Sequence, residues 1–422
     1  MNKGNQMKKT ILFIATLLLS LSSCLGTVGA DETAYNNIAK HAIAIEARTG
    51  KILYEKDSHK PSGIGSTTKI ITAFLVLEAV KRGDLQMGTK VNVSDYAYEL
   101  STSTSSSEVP LDDREYTVEQ LMDAMLLNSS NGASVALAEK VAGSERKFVD
   151  QMRALLKSWD INDGKIVNAS GLNNVALGDR RYPKSKEDDE NLLSAYDLAV
   201  ITKHILDEHP EMIDITEKAS ADFAGKTITN TNLMIEGLAR NRAGVDGLKT
   251  GSSGEYGDSF VVTGNERGMR LITVVLGVDT TEDINARFVA AASLMNYINQ
   301  TYFANVLAKE GDAYENSKSL VINGKKEKVA AVAAEDAYFI QRRDNPNEPK
   351  ATFTYDKKGY QAPIKKGQAV GYLTYEDPDK VGEGYLGGQK PQFPFVAGEK
   401  VERSFFLRVW WNEFVRYVNE NL

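Results

Sequence analysis

Apolar positions along this chain change period from segment to segment, and the changes divide it. Lys3, Lys8 and Lys9 precede the apolar run Ile11 to Leu21, and the small-residue site Val28-Gly29-Ala30 follows. A positive end, a short apolar run and a cleavage site predict a secretory signal peptide over residues 1–30; the run is too short for a permanent transmembrane helix. His41 to Ile45 and Lys51 to Tyr54 flank the turn Arg48-Thr49-Gly50 and read as two strands. From Ser66 to Arg82 the spacing is helical, with Ile70, Phe74 and Leu77 on one face and Ile71, Leu75 and Val76 widening it, and Gly83 closes it. A helix apolar on most of its circumference is a buried one.

Thr117 with Gln120 forms a capping box for a further helix through Leu121 and Met125. Asn128 to Gly132 interrupts that pattern, and it resumes from Ala133 to Ala142. Ser144 caps a helix whose apolar stripe is Phe148, Met152, Leu155, Leu156 and Trp159, which leaves Lys147 facing solvent. Ser101 to Ser107 reads as a loop, and the polar, acidic stretch Tyr182 to Asn191 as a surface excursion. A strand pair over Asp258 to Val278 turns at Asn265 to Gly268, with Gly247 to Thr250 as a neighbouring strand. An amphipathic helix from about Asp283 to Phe303 closes a first domain over residues 31–308. Helical periodicity then stops. Ser319 to Ile322, Ala351 to Tyr355 and Gly371 to Tyr375 read as short strands of a small all-β domain over residues 315–398.

Residues 400–422 are helical again, with Phe406, Trp410, Phe414, Tyr417 and Val418 on one face and Leu407 and Trp411 beside them. A docked helix is the plain reading. A terminal, aromatic-rich helix that follows a complete domain fits better in a membrane interface, with its aromatics at the headgroup boundary. Composition is that of a folded protein, with 42% apolar residues, and the net charge of −7 argues against a nucleic-acid partner. The single cysteine, Cys24, lies in the leader. Leu21-Ser22-Ser23-Cys24 also resembles a lipobox, in which Cys24 would be lipidated. Either processing route puts the protein outside the cytoplasm.

The chemistry is concentrated in Ser66-Thr67-Thr68-Lys69, Ser129-Ser130-Asn131 and Lys249-Thr250-Gly251. Residues i and i+3 share a helix face, so Lys69 stands beside Ser66. A serine hydroxyl needs a neighbour to take its proton, and a desolvated lysine can do so. The alternative is a solvated lysine beside a cap serine, which the run Ile70-Ile71 disfavours. Ser129 and Asn131 flank a helix break and can point into one cleft, although Ser and Asn also favour plain turns. Lys249 and Thr250 offer a cation and a hydroxyl to a carboxylate. Gly251 admits substrate close to the backbone, and the N–H groups of Ser66 and Ser252 can form an oxyanion hole. The second S-x-x-K, at Ser144, reads as a cap.

Together the strings are the signature of penicillin-binding proteins and class A β-lactamases. The chain resembles a low-molecular-mass penicillin-binding protein, a serine-type D-alanyl-D-alanine carboxypeptidase. Ala42 to Lys56, Pro61 to Glu78, Asn128 to Glu139, Asp246 to Gly254 and Met269 to Val278 carry the likeness, as does the domain order. It implies an α/β catalytic domain of the β-lactamase/transpeptidase-like type, a central antiparallel sheet flanked by helices, followed by the all-β domain and the anchor. It implies removal of the terminal D-Ala from peptidoglycan stem peptides through an acyl-enzyme on Ser66, with covalent inhibition by β-lactams and no cofactor or metal. Catalytic roles fall to Ser66, Lys69 and Ser129, and substrate binding to Asn131, Lys249, Thr250, Gly251 and Ser252. Ser252-Ser253 stands where relatives often have His-Thr, and Gly132 where Asp is common. A β-lactamase would need an E-x-x-L-N string, which is absent. Glu190 is the nearest acidic candidate and lacks the Leu-Asn that follows in that family. A non-catalytic wall-binding protein would tolerate decayed motifs, and these are intact. Four histidines without H-E-x-x-H disfavour a metal hydrolase.

Overall fold

A computed structural model describes residues 35–103, 109–345 and 349–421 of the chain. The leader and Cys24 lie outside these residues. The expected hairpin forms as β1 (His41–Glu46) and β2 (Lys51–Lys56). A 3₁₀ turn (Gly65–Thr68) leads into α1 (Lys69–Lys81), so the helix expected from Ser66 begins one tight turn late. α2 (Asp95–Ser103) contains Ser101, where a loop was expected; Ser101 Oγ bonds back to the carbonyl of Tyr98 at 2.7 Å, which lets serine continue a helix. The remainder of the expected Ser101–Ser107 loop includes residues outside those described.

α3 (Val118–Leu126) carries the Thr117/Gln120 capping box. α4 (Asn131–Ala142) follows the break, capped by Ser130 rather than starting at Ala133. α5 (Glu145–Ser158) is capped by Ser144, whose Oγ accepts the Lys147 N–H at 3.3 Å, and Lys147 is exposed. α6 (Ala195–Glu208) completes the helical side. β3 (Val245–Ser253), β4 (Gly257–Glu266) and β5 (Met269–Val278) join the first hairpin in a five-stranded antiparallel sheet of order β2-β1-β5-β4-β3.

Alternation along the strands gives the sheet two apolar faces. Ile43, Ile45, Ile272, Val274 and Leu276 join the main core with Ile70, Phe74 and Leu77 of α1 and Leu198 of α6. The opposite face is covered by α7 (Ala286–Thr301), where Phe288 meets Phe260 edge-on at 5.3 Å.

α7 ends at Thr301, and the chain turns directly into β6 (Tyr302–Ala308), where further helix and then the end of the first domain were expected. β7 (Lys318–Ile322) and β8 (Lys328–Ala333) come next, then β9 (Ala337–Arg342), which pairs with β6. β10 (Ala351–Thr354), β11 (Tyr360–Gln361), β12 (Ala369–Tyr375) and β13 (Phe393–Ala397) complete a six-stranded sheet of order β10-β12-β13-β8-β7-β11. α8 (Phe406–Asn421) is the terminal helix. Val409 is buried and Asn323 donates to Glu413 at 3.1 Å, whereas Phe406, Leu407, Trp410, Trp411, Phe414 and Tyr417 are exposed. No helix among the described residues is long and apolar enough to cross a membrane.

The first hairpin is tied to the β-rich part by buried polar contacts. Lys51, fully buried, donates to Asp377 at 2.9 Å and to the Ile340 carbonyl at 2.8 Å. Tyr385 donates to the other oxygen of Asp377 at 2.8 Å, and Tyr338 donates to Glu46 at 2.9 Å. Burial holds the Lys51 ammonium below its ordinary value, with Asp377 opposing the shift. Asp377→Asn leaves that cation without its counter-charge, so we expect destabilisation of about 3–5 kcal/mol, read as a lower thermal midpoint. The pair Lys51→Met/Asp377→Leu should recover most of it. A Tm for Asp377→Asn equal to wild type would contradict this account of the junction.

Candidate active site

The first string occupies the 3₁₀ turn and the first residue of α1, which places Ser66 half-buried at the mouth and Lys69 fully buried below it. Lys69 Nζ lies 2.9 Å from Ser66 Oγ, 2.7 Å from Asn131 Oδ1 and 2.7 Å from the Ser170 carbonyl. The first and second strings therefore meet at Lys69, together with the Ser170 carbonyl, which belongs to neither. Ser129 sits at the break between α3 and α4 with φ of 68°, a left-handed conformation uncommon for a residue with a side chain.

The third string lies on β3, packed against the turn that carries Ser66. A Cβ on Gly251 would stand 2.5 Å from the Ile64 carbonyl and 3.0 Å from the Thr67 nitrogen. A Cβ on Gly65, whose φ is +49°, would stand 2.3 Å from the Ser252 carbonyl oxygen and 2.7 Å from its nitrogen. Only glycine permits these approaches, and they bring the backbone around Ser66 and Ser252 side by side. Ser259 Oγ donates to the Ile64 carbonyl at 3.0 Å and closes the contact. Ser252 is exposed.

Lys249 is fully buried, and its Nζ donates to the Thr250 carbonyl at 3.1 Å; among the described residues it has no ion pair. Burial holds its pKa well below the ordinary lysine value, and the neighbouring cations Lys69 and Arg287 push it further. Thr250 Oγ1 lies 3.0 Å from Thr231 Oγ1. Arg287 of α7 donates to the Gly251 carbonyl at 2.9 Å and pairs with Asp258.

Residues not singled out from the sequence build the rear wall. Glu145 accepts the Ala169 N–H at 3.0 Å and the Tyr96 hydroxyl at 3.0 Å, and Thr72 donates to the Ala169 carbonyl at 2.7 Å. Asn168 Oδ1 accepts the Gly171 N–H at 2.6 Å. Asn191 accepts the Val167 N–H at 2.6 Å and donates to Thr68 Oγ1 at 3.0 Å. Together these hold the Ser170 carbonyl against Lys69. The pair Asn168-Ala169 before Ser170-Gly171 is a turn pattern, the only local cue to this role.

The end of the expected surface excursion is thus interior: Glu190 is 5% exposed and Asn191 is fully buried. They turn inward because β3 and the 3₁₀ turn before α1 offer polar partners there. Glu190 accepts the Ser253 hydroxyl at 3.0 Å, and burial raises its pKa, with Ser253 opposing. Gly132 also has a reason: a Cβ there would stand 2.4 Å from the Ala97 carbonyl, so α2 could not pack on α4. Among the described residues no group of three or more His, Cys, Asp or Glu side chains could hold a metal ion.

Comparison with known proteins decides the family. A model of the D-alanyl-D-alanine carboxypeptidase peptidase family matches residues 28–280. The chain belongs to this family. A second model, the C-terminal domain of penicillin-binding protein 5, matches residues 303–403. D-alanyl-D-alanine carboxypeptidase DacF of Bacillus subtilis is 29% identical over 376 residues, which is 87% of each chain. The crystal structure of PBP3, titled a peptidoglycan synthesis regulatory factor, from Streptococcus pneumoniae is 49% identical, with a TM-score of 0.85 over 87% of this chain and all of that one. Penicillin-binding protein D2 of Listeria monocytogenes, solved in an ampicillin-bound form, is 27% identical, with a TM-score of 0.52 over 63% of this chain and 98% of that one. The chain is accordingly a serine-type D-alanyl-D-alanine carboxypeptidase, a hydrolase of the penicillin-binding proteins.

A buried, shifted lysine costs stability wherever it must be charged. Unfolded Lys249 keeps its proton up to the ordinary lysine range, whereas folded Lys249 releases it at lower pH. The unfolded state therefore binds more protons between those values, and stability rises with pH across that window. Lys249→Met should unfold at a higher temperature than wild type at neutral pH, with the gap narrowing towards alkaline pH, while activity is lost. A variant less stable than wild type at neutral pH would refute the reading.

Proposed function

We propose that Ser66 is the nucleophile and Lys69 the base of this carboxypeptidase. The partners of Lys69 carry the proposal. An uncharged amine has two N–H groups and one lone pair. Asn131 Oδ1 and the Ser170 carbonyl take the two N–H groups, and the lone pair faces the Ser66 hydroxyl 2.9 Å away.

Lys69 takes the hydroxyl proton as Ser66 Oγ attacks the carbonyl carbon of the penultimate D-Ala. The N–H groups of Ser66 and Ser252, adjacent across the Gly65 contact, receive the oxyanion; one such donor is typically worth about 10²–10³ in rate. Ser129 relays to the departing amine of D-Ala the proton that Lys69 took from Ser66, which leaves Lys69 an uncharged amine again. Water then attacks the ester with Lys69 again as base. Asn131 orients the substrate amide as well as Lys69. Lys249 and Thr250 receive the terminal carboxylate, beside Gly251. The carboxylate supplies the counter-charge that Lys249 lacks, so its arrival favours the protonated form. A β-lactamase reading is not supported: Glu190, the nearest acid, is bonded to Ser253 and has no Leu-Asn after it.

The substrates of this reading are peptidoglycan stem peptides ending in D-Ala-D-Ala, met outside the cytoplasm, with β-lactams as covalent inhibitors. The exposed aromatic face of α8 supports attachment to the membrane surface. A contiguous apolar strip is costly in water, and of the apolar residues of the helix Val409 alone is buried. Balanced acidic and basic residues on the helix leave the attachment to apolar burial.

Ser66→Ala should abolish covalent labelling by fluorescent penicillin. Ser144→Ala should retain it and lose only a helix cap, about 0.5–2 kcal/mol by thermal unfolding. Labelled Ser66→Ala protein would overturn the nucleophile. Amidating the terminal D-Ala removes a charge-assisted hydrogen bond of about 1.5–3 kcal/mol, so kcat/KM should fall at least about tenfold; equal turnover of acid and amide would exclude Lys249 as the carboxylate site. Deleting residues 405–422 should release active enzyme from membranes. If the truncated chain stays bound, the attachment lies elsewhere, and Cys24→Ala tests the lipidated leader.

A further inference from the structure

Behind the wall that holds the Ser170 carbonyl lies a cavity of about 460 Å³ that the reaction does not use. Its charged lining consists of Arg146, Arg153, Lys165 and Lys184 with a single acid, Asp189. In a chain of net charge −7 this is a local reversal of sign. Asp189 is already committed, paired with Lys165 and accepting the Lys186 N–H at 2.9 Å. Arg153 is fixed: it donates twice to the Ile166 carbonyl, at 2.8 and 2.6 Å, and stacks over the Tyr182 ring at 4.1 Å. Asp150, the other acid at this edge, accepts the Tyr182 hydroxyl at 2.6 Å. Among the described residues Arg146, Arg153 and Lys184 have no carboxylate partner.

We propose that this cavity is a binding site for a polymer of repeated phosphodiesters met outside the cytoplasm. Three cations without counter-charges exceed what one carboxylate would neutralise. Guanidinium groups match tetrahedral and planar oxyanions in a bidentate way, and a fixed Arg153 loses little freedom on binding. A chain of phosphodiesters can place successive charges against Arg153, Arg146 and Lys184. The cavity floor also continues into the reaction site. Lys165 and Leu192 exchange backbone hydrogen bonds at 2.9 and 2.8 Å, and Asn191, the next residue, reaches Thr68 beneath Ser66. Occupancy would therefore brace the segment that carries the Ser170 carbonyl.

The test is titration of the purified protein with fluorescent poly(glycerol phosphate), with glycerol 3-phosphate and poly-glutamate as parallel probes, at a series of salt concentrations. Arg146→Gln/Lys184→Gln is the variant, since neither side chain makes a hydrogen bond or ion pair among the described residues. Wild type should bind the polymer with log affinity falling linearly in log salt. The double variant should bind about tenfold more weakly or worse, with a shallower slope by somewhat under one unit per charge removed. D-Ala release in the absence of polymer should be unchanged. Binding of poly-glutamate as tight as the phosphodiester polymer, glycerol 3-phosphate binding as tight as the polymer, or a double variant with wild-type affinity would each overturn the proposal.

Discussion

Two lysines buried in one cleft set the terms for everything around them. A buried ammonium costs several kcal/mol unless hydrogen bonds or a counter-charge compensate it. The Lys69 amine, charged or not, meets hydrogen-bonding oxygens of Ser66, Asn131 and Ser170 at 2.7–2.9 Å from three separate parts of the chain. Lys249 is left with one backbone carbonyl among the described residues, so the cost stays in the folded state; the carboxylate proposed to bind there would offset it. The sheet and the main core absorb it, since β3 is held on one side by β4 and on the other by the Ser66 turn. This is the arrangement expected where stability is traded for a site already shaped for its ligand.

The wall opposite β3 is not regular structure, and polar side chains do the work of a strand there. Asn168 and Asn191 each tie two or more backbone groups and Glu145 ties the Ala169 N–H, so residues 167–171 are held to α1 without a sheet ladder. Such networks rigidify when fully satisfied. They also explain how a cationic cavity can lie on the outer side of the same segment without entering the reaction. The wall has one face for Lys69 and another for solvent anions.

Much of this was legible in the sequence, for physical reasons. Capping boxes and apolar spacing are local, so the starts of α3 and α5 could be read from Thr117/Gln120 and Ser144. The order and spacing of the strings predicted that Ser66, Lys69, Asn131 and Lys249 converge, and they do. What was not legible depends on partners distant in the chain. Glu190 and Asn191 look like surface residues until Ser253 and Thr68 are seen to receive them. β8, β9 and β13 were missed because short strands rich in alanine and aromatic residues show no clear alternation, and β6 was missed because it follows α7 without a turn residue, its first two residues, Tyr302 and Phe303, being read as the end of the helix. Nor could the sequence show that Gly132, where an aspartate is common, has no room for a side chain against the Ala97 carbonyl. The exposed aromatics of α8 were visible as a stripe, whereas the burial of Val409 was not.

The central claim is that Lys69, uncharged, serves a small peptide acyl group on Ser66 well and a bulky tethered one badly, there being no dedicated carboxylate base. Intact-mass spectrometry of the enzyme after brief exposure to penicillin and removal of free drug tests it directly, alongside multiple-turnover D-Ala release from a stem pentapeptide. The account predicts a single adduct on the Ser66 peptide that persists while the untreated enzyme turns over peptide many times. Loss of the adduct within seconds, with hydrolysed drug in stoichiometric excess, would contradict it.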